Sequence, residues 1–345
     1  MDGTNGAMAC GGKGKVVVVM GATATGKSKL AVDLALRFGG EVVNSDKIQV
    51  HDGLAIVTNK VTAEECRGVP HHLIGVVSPD ADYTAADFCR DATRAVGSIH
   101  ARGRIPIIAG GSNRYLEALL DWEPAFRRRY ECCFLWVDGD LPVLDRYIRG
   151  RVDCMLEQGL VDEVRGIFQP DADYSRGIRR AIGVPEMDKY FRLEAVGELD
   201  GDDDELRAQL LSVAVDEIKA NTCGLVRRQL RKIRRLLGIS RWSLRRLDAT
   251  AVLMLKTSVA RDPETERAAW EADVAGPATR AVATFLGRNG QTTDGKAGLV
   301  AAAAKEVAMA GAGTTEWCGQ QLEKAAVVPG RARVFLGMKA AAAAV

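Results

Sequence analysis

The residues best suited to chemistry lie in a glycine-rich loop near the start of the chain. The segment Gly21-Ala22-Thr23-Ala24-Thr25-Gly26-Lys27-Ser28 has the spacing of a Walker-type phosphate-binding loop. Successive backbone N–H groups of such a loop can all point at one phosphate, because the glycines let the backbone approach it closely. Lys27 adds a full positive charge, and Ser28 is placed to bind the Mg²⁺ that accompanies phosphates. The loop therefore predicts a site for a diphosphate or a triphosphate.

The carboxylate that ATPases and kinases also need has no clear counterpart. That acid usually stands at the end of an apolar strand, where it helps to hold the metal. The apolar run Ile105–Ala109 ends in Gly-Gly-Ser instead, so Asp138, at the end of another apolar run, is the best remaining candidate. The pattern weakens an ATPase interpretation without excluding it.

Asp46 is a candidate general base. It follows a short predicted strand, Glu41–Val43, within the segment Asn44-Ser45-Asp46-Lys47-Ile48-Gln49. Ligands of open parallel sheets gather at the carboxyl ends of the strands, so Asp46 is expected near the phosphate site. A carboxylate there could take a proton from a nucleophile. An Asp that caps the next turn is an equally good interpretation of the spacing alone.

Two further motifs carry polar side chains. His71 and His72 are adjacent and cannot easily converge on one metal ion, so a structural or substrate-contacting loop is favoured over a zinc site. Arg179 and Arg180 lie at a predicted turn before a helix. Guanidinium groups bind phosphate in a bidentate way, although a solvated basic surface would show the same pattern.

A dense basic stripe covers Arg227–Arg235 on a long predicted helix. Positions 227, 231, 234 and 235 fall near one face of that helix. Such a stripe is usually a solvated face, but it also suits the phosphates of a nucleotide or an RNA backbone.

The elements that would position these groups alternate between strand and helix. Unbroken apolar runs such as Val16–Met20 and Cys133–Val137 predict strands that are buried on both faces of a parallel sheet. Lys27–Phe38 has helical periodicity, and Thr84 with Asp87 predicts a capping box that opens another helix. The order predicts an α/β fold with a P-loop NTPase-like, doubly wound parallel sheet flanked by helices.

Three regions are expected along the chain. Residues 1–14 are predicted to be a flexible N-terminus, and 15–290 to form the folded domain, with a mainly helical part at about 142–237 and a late strand at 243–248. Residues 291–345 are rich in Ala and Gly and are predicted to be a disordered tail.

Composition limits the remaining possibilities. A net charge of +2 over 345 residues gives no bulk indication of nucleic-acid or membrane binding. The eight cysteines are scattered without a CxxC pair, which predicts reduced thiols. The start of the chain has no apolar signal-peptide core, and no apolar run approaches the roughly 20 residues that a membrane span needs. We expect a monomer in the cytoplasm, with a plastid as the open alternative.

Taken in order, the motifs resemble those of one enzyme family. Gly-Ala-Thr-Ala-Thr-Gly-Lys-Ser, Asn-Ser-Asp-Lys-Ile-Gln-Val, Gly-Val-Pro-His-His-Leu, Ala-Gly-Gly-Ser-Asn and Gly-Ile-Arg-Arg-Ala-Ile-Gly-Val-Pro-Glu together resemble the isopentenyltransferases. Within that family the chain is most similar to the plant adenylate isopentenyltransferases, which make cytokinins. The resemblance covers roughly Lys15–Leu286. It departs from the family at Ala24, where many members carry Gly.

The resemblance implies a particular reaction. The loop would hold dimethylallyl diphosphate as the donor, and an adenine nucleotide (ATP, ADP or AMP) would be the acceptor. Its exocyclic N6 amine attacks the allylic carbon, and pyrophosphate leaves. Asp46 matches the family's catalytic base, which hydrogen-bonds that amine.

The resemblance also implies which residues hold the donor. Lys27, Thr25 and Ser28 match contacts to the donor phosphates, Ser28 together with the cofactor Mg²⁺. Ser112 and Arg180 match positions that help to stabilise the departing diphosphate.

The tRNA dimethylallyltransferases of the same family are the alternative. We would expect them to carry a long helical insertion after Gly-Gly-Ser, whereas only a short stretch separates Leu120 from Cys133. Eukaryotic members also tend to carry a C-terminal zinc finger, and here no His follows His100. Both features favour a small acceptor over tRNA and make the Arg227–Arg235 stripe a candidate contact for its phosphates. A non-catalytic nucleotide-binding protein is the third hypothesis.

Overall fold

Parallel strands form the centre of the computed structural model, which describes residues 12–199, 204–239 and 242–287. Within these residues the six strands of the sheet are β1 (Gly14–Gly21), β2 (Gly40–Asn44), β3 (His71–His72), β4 (Ile105–Gly110), β5 (Tyr130–Asp138) and β6 (Leu244–Asp248). Their order across the sheet is β3-β2-β4-β1-β5-β6, and every neighbouring pair is parallel. The carboxyl ends of β2, β4 and β1 therefore meet at one edge.

Helices connect and flank these strands. In chain order they are α1 (Lys27–Phe38), α2 (Ala63–Cys66), α3 (Ala85–Ala101), α4 (Asn113–Glu117), α5 (Pro124–Arg129), α6 (Leu141–Glu157), α7 (Leu160–Arg165), α8 (Asp188–Ala195), α9 (Asp204–Ile239), α10 (Thr250–Lys256), α11 (Pro263–Trp270) and α12 (Gly276–Leu286). Single π-helical turns join α4 to α5 (Ala118–Trp122) and α11 to α12 (Glu271–Ala275), and short 3₁₀ turns cover Gly177–Arg180 and Pro185–Met187. The predicted parallel α/β fold with a mainly helical C-terminal half is confirmed.

Local sequence signals explain where the main elements begin and end. All five residues of Val16–Met20 are completely buried, as the unbroken apolar run predicts for a central strand. The capping box before α3 is present: the Thr84 hydroxyl accepts from the Asp87 N–H at 3.2 Å, and the Asp87 carboxylate accepts from the Thr84 N–H at 3.0 Å. The late strand expected at 243–248 forms as β6.

The prediction that His71 and His72 lie in a loop is wrong. They form β3, which pairs with Val42 and Val43 at the edge of the sheet. The Nε2 atom of His72 lies 2.7 Å from Glu41 Oε2, so this histidine has a structural partner. A strand of two residues is shorter than the runs whose alternation reveals a strand in sequence.

Two hydrophobic clusters pack on the helices and the sheet. One surrounds the strands, and the other joins α6, α7, α8 and the 3₁₀ turns. The 36 residues of α9 contribute to both, through Ala214 and Ile218 in the second cluster and Val226 and Ile233 in the first. At 1.5 Å per residue this helix is about 54 Å long, which lets it reach both clusters.

Some predictions fall on parts of the chain that are not described. Residues 1–11 and 288–345 lie outside the described residues, so the predicted flexible N-terminus and Ala/Gly-rich tail stay predictions. In the described part, every helix is too short or too polar to cross a lipid bilayer.

Candidate active site

Three loops converge at the carboxyl edge of the sheet. They are the phosphate loop after β1, the turn after β2 that carries Asp46, and the turn after β4 that carries Ser112. The Ser45 N–H donates to Ala109 O at 2.8 Å, and the Ser112 N–H donates to Ser45 O at 3.2 Å. A Cβ on Gly110 would lie only 2.4 Å from Ser45 Oγ, so glycine is what lets these two loops touch.

The phosphate loop, Gly21–Ser28, is braced by its own side chains. The Thr25 hydroxyl is buried and donates to Ala22 O at 2.9 Å. Lys27 Nζ donates to the same carbonyl at 2.6 Å, so its ammonium group lies within the loop. Ser28 is exposed on the first turn of α1. The helix N-terminus, Lys27 and the loop amides thus form a site suited to a phosphate group.

The electrostatic setting of Lys27 is unusual for a lysine. Burial lowers its pKa from 10.5 to about 8, attraction to Asp46 raises it, and repulsion from Arg151 lowers it. Desolvation and a second cation both disfavour the charged form. The attraction of a bound anion would offset both effects, so the arrangement favours a negatively charged ligand.

Sequence reasoning missed Arg151. This half-buried residue of α6 has a pKa that burial lowers, and its Nε has no hydrogen-bond partner among the described residues. Its spacing from buried Leu144, Ile148 and Met155 places it on the apolar face of α6. A single arginine inside an apolar helical stripe is the sequence signal that could have revealed it.

Asp46 combines the two interpretations that the sequence left open. Its Oδ1 accepts hydrogen bonds from the Ile48 N–H at 2.9 Å and the Gln49 N–H at 3.3 Å, which is a capping role. Its Oδ2 accepts none from the described residues and lies 3.6 Å from where a Cβ on Gly111 would stand. One carboxylate oxygen fixes the group, and the other faces the converging loops.

Gln229 of α9, which sequence reasoning also missed, ties two of the loops together. Its Oε1 accepts from the Thr23 N–H at 2.8 Å, and its Nε2 donates to Gly111 O at 3.1 Å. The Asn113 side chain in turn donates to Gln229 O at 3.2 Å. Gln229 is buried and lies three residues after Val226 and four before Ile233. A polar residue on the apolar face of this basic helix is the sequence signal that could have revealed it.

We expect Gln229→Leu to loosen the phosphate loop. The change leaves the Thr23 N–H and the Gly111 carbonyl without partners, at a cost of about 1–3 kcal/mol for a buried group. Both the free energy of unfolding, measured with urea, and the catalytic efficiency should fall. Gln209→Leu on the same helix is the control, because Gln209 is exposed and its side chain donates to Glu205 Oε1 on the same helix. Equal losses in the two variants would contradict the role assigned to Gln229.

Four cations, Lys47, Arg180, Arg228 and Lys232, form a basic cluster beside Asp46. The pKa of Lys47 is lowered first by burial and then by repulsion from Arg180. Attraction to Asp46 raises it, and repulsion from Lys232 and Arg228 lowers it by smaller amounts. Arg180 donates through Nε to Gly177 O at 3.2 Å. None of the four pairs with a described carboxylate in an ion pair. The cluster therefore offers positive charge that Asp46 offsets only in part.

Two arginines of the predicted phosphate-binding face of the basic stripe have carboxylate partners, and phosphate binding by the stripe stays a prediction. Arg227 forms an ion pair with Asp145, and Arg235 forms one with Glu117. Arg228 and Lys232, spaced by one helical turn, are the stripe residues that lie near Lys47. The sequence spacing predicts which arginines share a face of the helix. Only the packing of α9 decides which face lies beside the candidate active site.

Asp138 forms an ion pair with Arg246. It is buried at the end of β5, and its Oδ2 accepts from Arg246 Nε at 2.7 Å. Its other oxygen, Oδ1, is buried and has no hydrogen-bond partner among the described residues, so a metal-binding role for Asp138 stays a prediction. Among the described residues no three His, Cys, Asp or Glu side chains are grouped so that they could hold a metal ion.

Comparisons with known proteins identify the family. The IPP transferase family model matches residues 49–129 and 121–236. The chain is 54% identical over 278 residues to adenylate isopentenyltransferase 3, chloroplastic, of Arabidopsis thaliana, and covers 80% of each chain. It is 49% identical over 281 residues to adenylate isopentenyltransferase 7, mitochondrial, of the same plant, covering 81% of this chain and 82% of that one. The chain belongs to the adenylate isopentenyltransferases, within the IPP transferase family.

A solved structure supports the fold of this adenylate isopentenyltransferase. A eukaryotic dimethylallyltransferase acting on tRNA superposes with a TM-score of 0.63 at 22% sequence identity, covering 82% of each chain. At that identity the likeness concerns the fold alone. The fold is thus shared beyond the adenylate branch.

The adenylate isopentenyltransferase also carries local strain in its phosphate loop. Ala24, which has a Cβ, adopts φ of 69°. A left-handed conformation costs a residue with a Cβ roughly 1–2 kcal/mol. The neighbouring anchors, Gln229 on Thr23 and the hydrogen bonds to Ala22, hold the loop in this conformation.

Proposed function

We propose that this enzyme transfers the dimethylallyl group of dimethylallyl diphosphate to the N6 amine of an adenine nucleotide and releases pyrophosphate. The observation that carries the proposal is the free Oδ2 of Asp46, which faces the same converging loops as the Lys27 ammonium group. A base and a diphosphate site in one cleft suit a reaction in which an amine loses a proton while a diphosphate departs.

The donor diphosphate is assigned to the phosphate loop. The amides of Gly21–Ser28, the Lys27 ammonium and the α1 N-terminus would bind its oxygens. Thr25 contributes through its N–H, since its hydroxyl is bonded to Ala22 O. Ser112 and Arg180, at the adjoining turn and the basic cluster, would help to bind the pyrophosphate as it leaves, and Arg151 adds charge beside Lys27.

A magnesium ion fits this donor site. Mg²⁺ takes few protein ligands when phosphate oxygens supply the others, and the exposed Ser28 hydroxyl is one such ligand. Ser28 would hold the ion with the diphosphate, where it would neutralise charge on the leaving group.

Asp46 does the proton chemistry. The N6 lone pair is delocalised into the adenine ring, so the amine is a weak nucleophile. As the N6–C1 bond forms and the C1–O bond breaks, Oδ2 takes the amine proton. The electron pair of the broken bond goes to the diphosphate, where preorganised N–H groups and cations stabilise it.

The other three residues of the basic cluster are assigned to the acceptor's phosphates. The cluster adjoins Asp46, so a nucleotide whose adenine reaches Oδ2 could place its phosphates on Lys47, Arg228 and Lys232. We expect Lys232→Met to raise the KM for ADP or ATP several-fold, with a smaller effect on AMP, because one charged contact to a phosphate is lost. Arg235→Met, whose arginine is paired with Glu117, is the matched control. Equal KM values in parent and Lys232→Met would contradict the assignment.

The acceptor is tested directly by a panel. Purified protein, dimethylallyl diphosphate and Mg²⁺ are offered AMP, ADP, ATP and tRNA side by side, and the products are read by mass spectrometry. We expect prenylated nucleotide. Prenylated tRNA alone would instead establish the tRNA reaction, and binding without any product would establish a non-catalytic role.

The relatives named above are called chloroplastic and mitochondrial. The cytoplasmic location and the monomeric state remain predictions for this chain.

A further inference from the structure

A tryptophan from the end of the described chain lies behind the phosphate loop. Trp270, the last residue of α11, is only 5% exposed. A Cβ on Gly26 would lie 2.9 Å from Cζ3 of Trp270 and 3.0 Å from Cη2. The outer edge of the indole therefore lies against the backbone of Gly26, whose φ of +92° and missing side chain permit that contact.

A polar network fixes the indole in this place. Its Nε1 donates to Asp33 Oδ2 at 2.8 Å, and the buried Asp33 also accepts from Arg67 Nη1 at 2.8 Å and Lys29 Nζ at 3.1 Å. Lys29 Nζ lies 4.6 Å from the centroid of the Trp270 ring, within cation–π range. The network joins α11 to α1, the helix whose first residue is Lys27.

We propose that Trp270 is a positioning residue for the donor. Its ring holds Gly26 and the first turn of α1 in the arrangement that presents Lys27 and the loop amides to a diphosphate. The inference rests on the proposed function, which puts the donor in that loop. It assigns a role in substrate binding to α11, which lies beyond residue 236, where the family match ends. Small displacements of preorganised donors weaken binding and catalysis strongly.

A second tryptophan provides a matched control. Trp242 is 4% exposed, donates through Nε1 to Asp121 Oδ1 at 3.0 Å, and stacks on Phe134 at a centroid distance of 5.1 Å. It thus has the burial and the kind of hydrogen bond that Trp270 has. It packs on β5 instead of the phosphate loop, so it reports what a general loss of core packing does.

The test compares Trp270→Phe with Trp242→Phe in the full chain. Phenylalanine lacks both the indole N–H and the outer ring atoms that meet Gly26. Binding of inorganic pyrophosphate with Mg²⁺, and of ADP, is measured by calorimetry. We expect Trp270→Phe to weaken pyrophosphate binding about tenfold and ADP binding less than about twofold, and Trp242→Phe to change neither by more than about twofold. Pyrophosphate should also change the intrinsic fluorescence of the parent and of Trp242→Phe, but not that of Trp270→Phe.

A second variant guards against a folding defect. Asp33→Asn keeps the shape of the network but removes its charge, and we expect about threefold weaker pyrophosphate binding. Parent-like pyrophosphate binding by Trp270→Phe and Asp33→Asn would overturn the inference, as would equal losses for pyrophosphate and ADP. If the parent itself bound no pyrophosphate, the donor assignment of the proposed function would fall, and this inference with it.

Discussion

Asp46→Asn is expected to abolish most prenyl transfer while leaving the donor site intact. Asparagine can still accept the hydrogen bonds of the Ile48 and Gln49 N–H groups, so the turn after β2 should keep its shape. The side chain becomes a neutral amide, so no carboxylate oxygen is left beside the converging loops to take a proton. A positioned base contributes about 10²–10⁴ in rate, and we expect kcat to fall by about 10³. Product formation with ADP is followed by mass spectrometry, and pyrophosphate binding by calorimetry.

The control for this variant is Asp52→Asn. Asp52 is exposed, and its Oδ1 accepts from the Gly53 N–H at 2.9 Å, so it has the same local capping chemistry without a place among the converging loops. It should keep parent activity. A fully active Asp46→Asn enzyme would exclude the carboxylate as the base and favour the capping role alone.

Lys27→Met is expected to lower kcat/KM for the donor by about 10²-fold or more. Removing one preorganised donor of charge from such a site costs about 3–4 kcal/mol of transition-state stabilisation. Methionine fills much of the same volume, and the Thr25 hydroxyl still donates to Ala22 O, so the phosphate loop should keep its packing although one hydrogen bond is lost. Lys189→Met, at an exposed lysine of α8, is the control and should behave as the parent.

The same lysine predicts a pH dependence. Its pKa is lowered to about 8, so in the free enzyme it is charged below that pH and loses its proton as the pH rises through it. The kcat/KM for the donor, which reports the free enzyme, should therefore fall above about pH 8 in the parent. The fall should be absent from Lys27→Met, and comparing the two enzymes removes the titration of the diphosphate itself. Identical profiles would show that another group controls donor capture.

The sequence predicted the fold well because its strongest signals are local. The buried run of β1, the capping box before α3 and the periodicity of α1 are each complete within one segment. The edge strand β3 escaped detection because two residues carry no alternation. Pairing with β2 creates this strand, and pairing is not visible in a single segment.

The candidate site was predicted where a motif names its residues and missed where packing selects them. The phosphate loop and Asp46 follow from spacing at strand ends. Gln229 and Arg151 join the site only because α9 and α6 turn particular faces toward it. The same packing occupies Arg227 and Arg235 with carboxylates and leaves Arg228 and Lys232 near Lys47.

The length of α9 affects how the domain unfolds. Ala214 and Ile218 belong to one hydrophobic cluster, and Val226 and Ile233 belong to the other. These four residues lie on one unbroken helix together with Gln229, which bonds to the phosphate loop. We expect the loss of either cluster to destabilise the helix on which the other cluster packs. Unfolding should therefore be one cooperative event, with slow hydrogen exchange of the α9 amides at a rate set by global opening. Any lesion that melts the centre of this helix would remove the active site and the folded state together.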